Sequence, residues 1–185
     1  MRTVAIIPGW SEGNWHINQF AKALPDGWEL ASEPDKADIV IAHSSGCYSL
    51  PKLGKTNLTI LIGPPYDPGR SIFMCIWQNI IGDLPSQLRW WGLAKLVRVR
   101  LANCWYALRY PLRHIKIWRS LRQTFLIAVE NSETLVIRNN SDAFCSEQIK
   151  ILVKDYKNIR LVELAGLHED CWIHPKTYVA LLARF

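Results

Sequence analysis

With 185 residues, 49% hydrophobic and 21% charged, the chain is long enough to bury one full core and short for two. This composition excludes a disordered or low-complexity polymer, and no run of eighteen apolar residues supplies a spanning helix. The net charge of +6 conceals an asymmetry: Leu84 to Val129 holds no Asp or Glu, while Arg89, Lys95, Arg98, Arg100, Arg109, Arg113, Lys116, Arg119 and Arg122 give it +9 and leave −3 elsewhere.

In chain order, Thr3 to Ile7 is a β-branched run closed by Pro8-Gly9, too short an apolar stretch for a secretory signal, and is predicted as a first strand. A cytoplasmic location is expected. Trp15 to Leu24 carries helical periodicity, and Trp28 to Ala31 reads as a weak strand. Only about seven residues separate it from the next strand, fewer than the ~10–12 a helical parallel crossover needs, so a helix is expected to be missing there. That next strand, Ile39 to Ala42, runs straight into His43-Ser44-Ser45-Gly46.

Further strands are predicted at Leu58 to Ile62, Thr134 to Ile137 and Ile159 to Leu164, with helices at Glu147 to Tyr156 and Pro175 to Ala183. Strands alternating with helices imply an α/β fold: a mainly parallel sheet flanked by helices, in a single domain spanning 1–185. Residues 67–129 interrupt that pattern with Trp-rich, Arg-rich helical sequence, including Trp77, Trp90, Trp91, Trp105 and Trp118, and are predicted to form a basic cap over the end of the sheet. The five cysteines, Cys47, Cys75, Cys104, Cys145 and Cys171, form no C-x-x-C pair and read as small core residues in a reducing compartment.

The turn after Ile39–Ala42 carries the chemistry. In a G-x-S-x-G arrangement small residues two before and two after a serine let strand and helix approach closely, and Ala42 and Gly46 occupy those places around Ser44. A serine hydroxyl needs a base, and the base needs a third group to fix its tautomer. His168, in Gly166-Leu167-His168, lies beyond the C-terminal end of the last predicted strand, the edge where open parallel sheets bind ligands. His174, beside the start of the last helix, is the competing base. Asp142, on the turn after Thr134–Ile137, is the favoured acid; Asp67 is the alternative, and capping the next helix is Asp142's structural role. Asp170 is too near His168 in sequence to be preferred. Oxyanion donors are expected from the backbone N–H groups of Ser45 and Trp10, the latter in the Pro8-Gly9-Trp10 turn. That loop lacks G-x-G-x-x-G and a Walker lysine, which argues against phosphate binding.

With Ile6-Ile7-Pro8-Gly9-Trp10, Ala42-His43-Ser44-Ser45-Gly46, Asp142 and Gly166-Leu167-His168 in this order, the chain resembles the α/β-hydrolase superfamily over nearly its whole length. The resemblance implies a serine hydrolase acting on an ester or thioester, with Ser44, Asp142 and His168 as its triad and residues 67–129 as the variable cap that sets substrate choice. Pro8 departs from the histidine that often precedes this glycine. No metal or organic cofactor is expected, since the five histidines and five cysteines fall into no zinc-ligand spacing and acyl transfer needs none. The basic, Trp-rich cap suits an anionic membrane surface or an acidic carrier protein presenting an acyl group. A non-catalytic binding module, for nucleic acid or another anion, is a separate class that leaves the Ser, Asp and His order unexplained.

Overall fold

The computed structural model describes residues 2–9, 12–50, 58–66, 84–110, 132–142 and 144–182. Its centre is a sheet of six strands, β1 (Arg2–Ile7), β2 (Trp28–Leu30), β3 (Ile39–His43), β4 (Leu58–Ile62), β5 (Thr134–Asn139) and β6 (Ile159–Leu164), in the order β2-β1-β3-β4-β5-β6. Every described pairing is parallel. Helices α1 (Asn14–Ala21), α2 (Leu84–Trp91), α3 (Leu93–Arg109), α4 (Gln148–Val153), α5 (Asp170–Ile173) and α6 (Pro175–Leu182) complete the described elements with two 3₁₀ turns, Pro34–Lys36 and Ser44–Tyr48.

The apolar strands are buried on both faces because helices or turns cover both. On one face Ile39, Ile41, Ile60, Ile62, Leu135 and Ile137 pack against Phe20 of α1, Trp172 of α5 and Tyr178, Val179 and Leu182 of α6. On the other, Ala42, Leu61 and Val136 meet Cys47 of the 3₁₀ turn and Ile149 and Val153 of α4. Each fully buried Ile or Leu contributes about 2 kcal/mol of transfer free energy, so a β3 with no polar face is stable only in a layered core of this kind.

The predicted elements appear with shifted ends. The weak strand stops at Leu30, and the connection to β3 is indeed without an α-helix, being a 3₁₀ turn that carries the chain past β1. The segment after Ser44 is a 3₁₀ turn, and Pro51 disfavours helical backbone at the residue before it, which leaves little room for a longer helix. One expectation about the cysteines is corrected. Cys104 is exposed, because it lies on the outer side of α3; Cys47, Cys145 and Cys171 are buried as expected, and Cys75 is outside the described residues. Also outside them are Trp10, Asp67, Trp77, Arg113, Lys116, Trp118, Arg119 and Arg122.

Among the described residues the segment 67–129 supplies α2 and α3. Trp91 and Leu96 pack on Leu167, the residue before His168, and the Trp91 indole N–H donates to Asp170 Oδ1 at 2.9 Å. Arg98 lies over the Trp15 ring, 5.1 Å from its centroid. α2 and α3 are thereby anchored to α1 and to the loop after β6.

Candidate active site

Ser44 stands at the C-terminal end of β3 with φ +50°, the one positive φ outside glycine among the described residues. Holding a serine there costs on the order of 1–3 kcal/mol, and the packing around it supplies the constraint. A Cβ on Gly46 would lie 2.5 Å from the carbonyl oxygen of Ile7 and 2.7 Å from that of Pro8, so the turn presses directly on the backbone leaving β1. Ala42, at the position that is glycine in the motif, is fully buried and fits its methyl group among Leu61 and Val136.

Three loops from the same rim of the sheet converge. Ser44 Oγ is 2.8 Å from His168 Nε2, and His168 Nδ1 is 2.8 Å from Asp142 Oδ2. Asp142 Oδ1 accepts the backbone N–H groups of Phe144 at 2.7 Å and Cys145 at 3.0 Å. Burial works to raise the Asp142 pKa, but the His168 charge and hydrogen bond, with those two N–H groups, outweigh it and hold the carboxyl below its usual value of 3.8. Asp142 does not cap the following helix, whose N-cap is Glu147: one carboxylate oxygen closes the turn through Phe144 and Cys145 while the other pairs with His168.

The loops carrying acid and imidazole are stitched together. Buried Asn139, ending β5, donates from Nδ2 to the Leu167 carbonyl at 2.6 Å and accepts the Tyr178 hydroxyl on Oδ1 at 2.8 Å. Asn140 N donates to Leu164 O and Ser141 N to Gly166 O. Buried Arg138 donates from Nε to Cys145 O at 3.0 Å and from Nη1 to Glu163 at 2.6 Å, which fixes the far side of the Asp142 turn. Gly63, following β4, has φ +53°, and a Cβ there would come within 2.7 Å of Asp142 Oδ2 and 3.0 Å of His168 Nδ1.

Beneath this set lies a second group that sequence reasoning missed. Glu12 Oε1 is 2.6 Å from His43 Nδ1 and accepts the Trp172 indole N–H at 2.8 Å, while Glu12 Oε2 accepts the Gly9 N–H. His43 Nε2 lies 2.9 Å from the carbonyl oxygen of His168. Burial favours neutral forms of both partners, yet their mutual attraction and hydrogen bonds prevail: Glu12 is held below its ordinary 4.5 and His43 above its ordinary 6.5. The one signal in the sequence is His43 itself, a titratable residue inside a run that is otherwise apolar up to Ser44.

Of the competing candidates, His174 caps the end of α5, where its N–H donates to Asp170 O, and Asp170 binds the Leu167 N–H and the Trp91 indole. Asp170 therefore shapes the loop that carries His168. Ser45 sits in the 3₁₀ turn next to Ser44. Among the described residues no group of three or more His, Cys, Asp or Glu side chains is arranged to hold a metal ion.

No family model matches the chain, and no curated protein matches it. Solved structures do. The peroxisomal α/β-hydrolase Lpx1 of Saccharomyces cerevisiae matches at TM-score 0.62 and 10% identity, covering 98% of this chain and 75% of its own. A carboxylesterase structure from Nitrososphaera gargenis matches at 0.63 and 10%, covering 100% and 89%. The thioesterase domain of the curacin biosynthetic pathway matches at 0.59 and 13%, covering 100% and 91%. The parallel sheet, its flanking helices and these likenesses agree: the chain has the α/β-hydrolase fold.

Proposed function

We propose that the protein is a serine hydrolase that cleaves a carboxylic ester or thioester through an acyl-enzyme formed on Ser44. The observation that carries this reading is the Ser44–His168–Asp142 chain, with both links at 2.8 Å. His168 Nε2 takes the hydroxyl proton as Oγ attacks the carbonyl carbon, and returns it to the leaving alcohol or thiol as the tetrahedral intermediate collapses. Water, deprotonated by the same nitrogen, then releases the acid. Asp142 holds the imidazole with Nδ1–H inward and stabilises its cationic form, and the N–H groups of Ser45 and Trp10 receive the oxyanion. The carboxylesterase and thioesterase among the structural likenesses support the choice of an ester or thioester bond.

A fluorophosphonate probe and nitrophenyl esters from acetyl to palmitoyl test the reading. Labelling and turnover of the wild type, both lost in Ser44→Ala, are expected; labelling that persists in the variant, or its absence from the wild type, overturns it and favours a binding module. Gly63→Ala forces an L side chain into a left-handed conformation and into the Asp142–His168 contact. The expected result is a loss of about 2 kcal/mol in stability by thermal melting, and a displaced imidazole lowers kcat/KM by roughly a hundredfold.

The cap is the surface through which this hydrolase meets an anionic bilayer. Supporting this, Leu93, Val97, Leu101, Trp105 and Leu108 form an exposed stripe along α3, between 46% and 80% accessible, bordered by Arg98 and Arg109 at 100° per residue. No helix among the described residues is long and apolar enough to cross a membrane. In vesicle flotation at low salt, recovery with phosphatidylcholine–phosphatidylglycerol is expected to exceed recovery with phosphatidylcholine alone, and Leu101→Asp/Trp105→Ser to remove the difference. Equal recovery with both bilayers overturns it, leaving an acidic carrier protein or self-association as the use of this face.

A further inference from the structure

We propose that Glu12 and His43 are a positioning pair for His168: His43, protonated on both ring nitrogens, donates from Nδ1 to Glu12 and from Nε2 to the His168 backbone carbonyl, holding that loop against the turn of Gly9. The inference rests on the hydrolase reading of the site above it. Both ring nitrogens of His43 face oxygen acceptors, Glu12 Oε1 at 2.6 Å and His168 O at 2.9 Å. A neutral imidazole has one N–H and satisfies only one of them. The Trp172 indole N–H lies nearer to Glu12 Oε1, at 2.8 Å, than to His43 Nδ1, at 3.3 Å, which leaves Nδ1 as a donor.

The arrangement links two loops of the site through one buried carboxylate. Glu12 Oε2 takes the Gly9 N–H at the end of the loop from β1, and the other oxygen reaches His43 and Trp172. The side chains of His43 and Glu12 are 1% and 6% exposed, so the pair is inside the protein and does not compete with water. The rings of His43 and His168 lie 4.8 Å apart between centroids. His43 also feels His16 from α1, Asp142 from the loop after β5 and Glu169 beside His168, whose carboxyl is raised by burial; Arg98 of α3 acts on His16.

Deprotonation of His43 separates this role from simple packing. Next to the Glu12 carboxylate the remaining proton stays on Nδ1, where the hydrogen bond is charge-assisted, so Nε2 turns a lone pair toward the His168 carbonyl and the support is lost. With Glu12→Gln that preference disappears: neutral His43 carries its proton on Nε2, toward His168, and accepts the glutamine amide on Nδ1.

Steady-state ester hydrolysis against pH, with ¹⁵N NMR of the histidine rings, tests the pair. For the wild type, kcat is expected to fall roughly tenfold as pH rises through a His43 titration lying above 6.5, with KM unchanged. In Glu12→Gln, kcat stays level across that range and NMR shows His43 protonated at Nε2. Glu12→Gln/His43→Phe, which also removes the donor, lowers kcat roughly tenfold below that of Glu12→Gln at constant KM. An alkaline fall of equal size in Glu12→Gln, or a double variant matching the single one, overturns the proposal. Wild type that neither turns over ester nor reacts with fluorophosphonate defeats the hydrolase reading instead, and the NMR tautomers still decide whether the pair is built as described: a wild-type His43 that is neutral at pH 6 overturns it.

Discussion

Ser44→Ala is expected to lower kcat on nitrophenyl esters by roughly a million-fold, because nucleophile and base act as one unit and the imidazole has nothing to activate once the hydroxyl is gone. KM should change little, since the substitution removes only the hydroxyl oxygen. The complementary variant is Ser44→Gly, equally inactive but more stable. Its φ of +50° strains a serine by about 1–3 kcal/mol, which exceeds the ~0.5–1 kcal/mol that glycine costs in chain entropy. For a chain of this size that predicts a Tm higher by about 2–4 °C, read in a thermal melt of the two variants side by side. A Tm for Ser44→Gly at or below that of Ser44→Ala, which has lost the same hydrogen bond to His168, would mean that the elbow is relaxed and that its geometry is held by something other than the close approach of Gly46 to Ile7.

Asp142→Asn is expected to reduce kcat by about 10⁴-fold while leaving the fold intact. The reason is specific to this loop. Oδ1 of Asp142 accepts two backbone N–H groups, from Phe144 and Cys145, and only an oxygen can replace it there. The asparagine oxygen is therefore committed to the loop, and its NH₂ is turned toward His168 Nδ1. Facing a donor, the imidazole moves its proton to Nε2, toward Ser44, and loses its ability to accept the hydroxyl proton. Stability follows the sign of the shift. The Asp142 carboxyl lies below its ordinary 3.8, so its stabilisation is present above that value and disappears as pH falls through the folded-state pKa. Melting wild type and Asp142→Asn across the acid range should show the wild type losing its advantage only at the low-pH end. An unchanged difference in Tm down to the lowest pH would assign the stabilisation to the backbone N–H bonds and not to the charge.

Much of this was legible in the chain because strands and catalytic order leave local marks. β3 is apolar throughout and buried throughout, so its pattern and its place in the centre of the sheet express the same fact. Ser44, Asp142 and His168 could be chosen because each follows a recognisable strand, and in a parallel sheet such positions share one rim. What escaped depends on contacts between distant segments. Glu12 lies in a loop and His43 inside a strand; nothing in either neighbourhood announces that β1 and β3 are adjacent, which is the condition for their meeting. Gly63 carries no mark in the sequence, and only its left-handed backbone, under Asp142 and His168, shows why no side chain fits. Cys104 was misassigned because composition alone does not say which side of α3 looks outward.

The hydrogen bonds that join Asn139 to Leu167 and Ser141 to Gly166 yoke two segments that are far apart in sequence. Thermal excursions of one drag the other along, so the carboxylate and imidazole drift as a single body. Ser44, fixed to the central strand, does not share that drift. Partial opening of this rim therefore separates Ser44 from His168 while the Asp142–His168 hydrogen bond survives, and the three side chains realign by closing one gap in place of two.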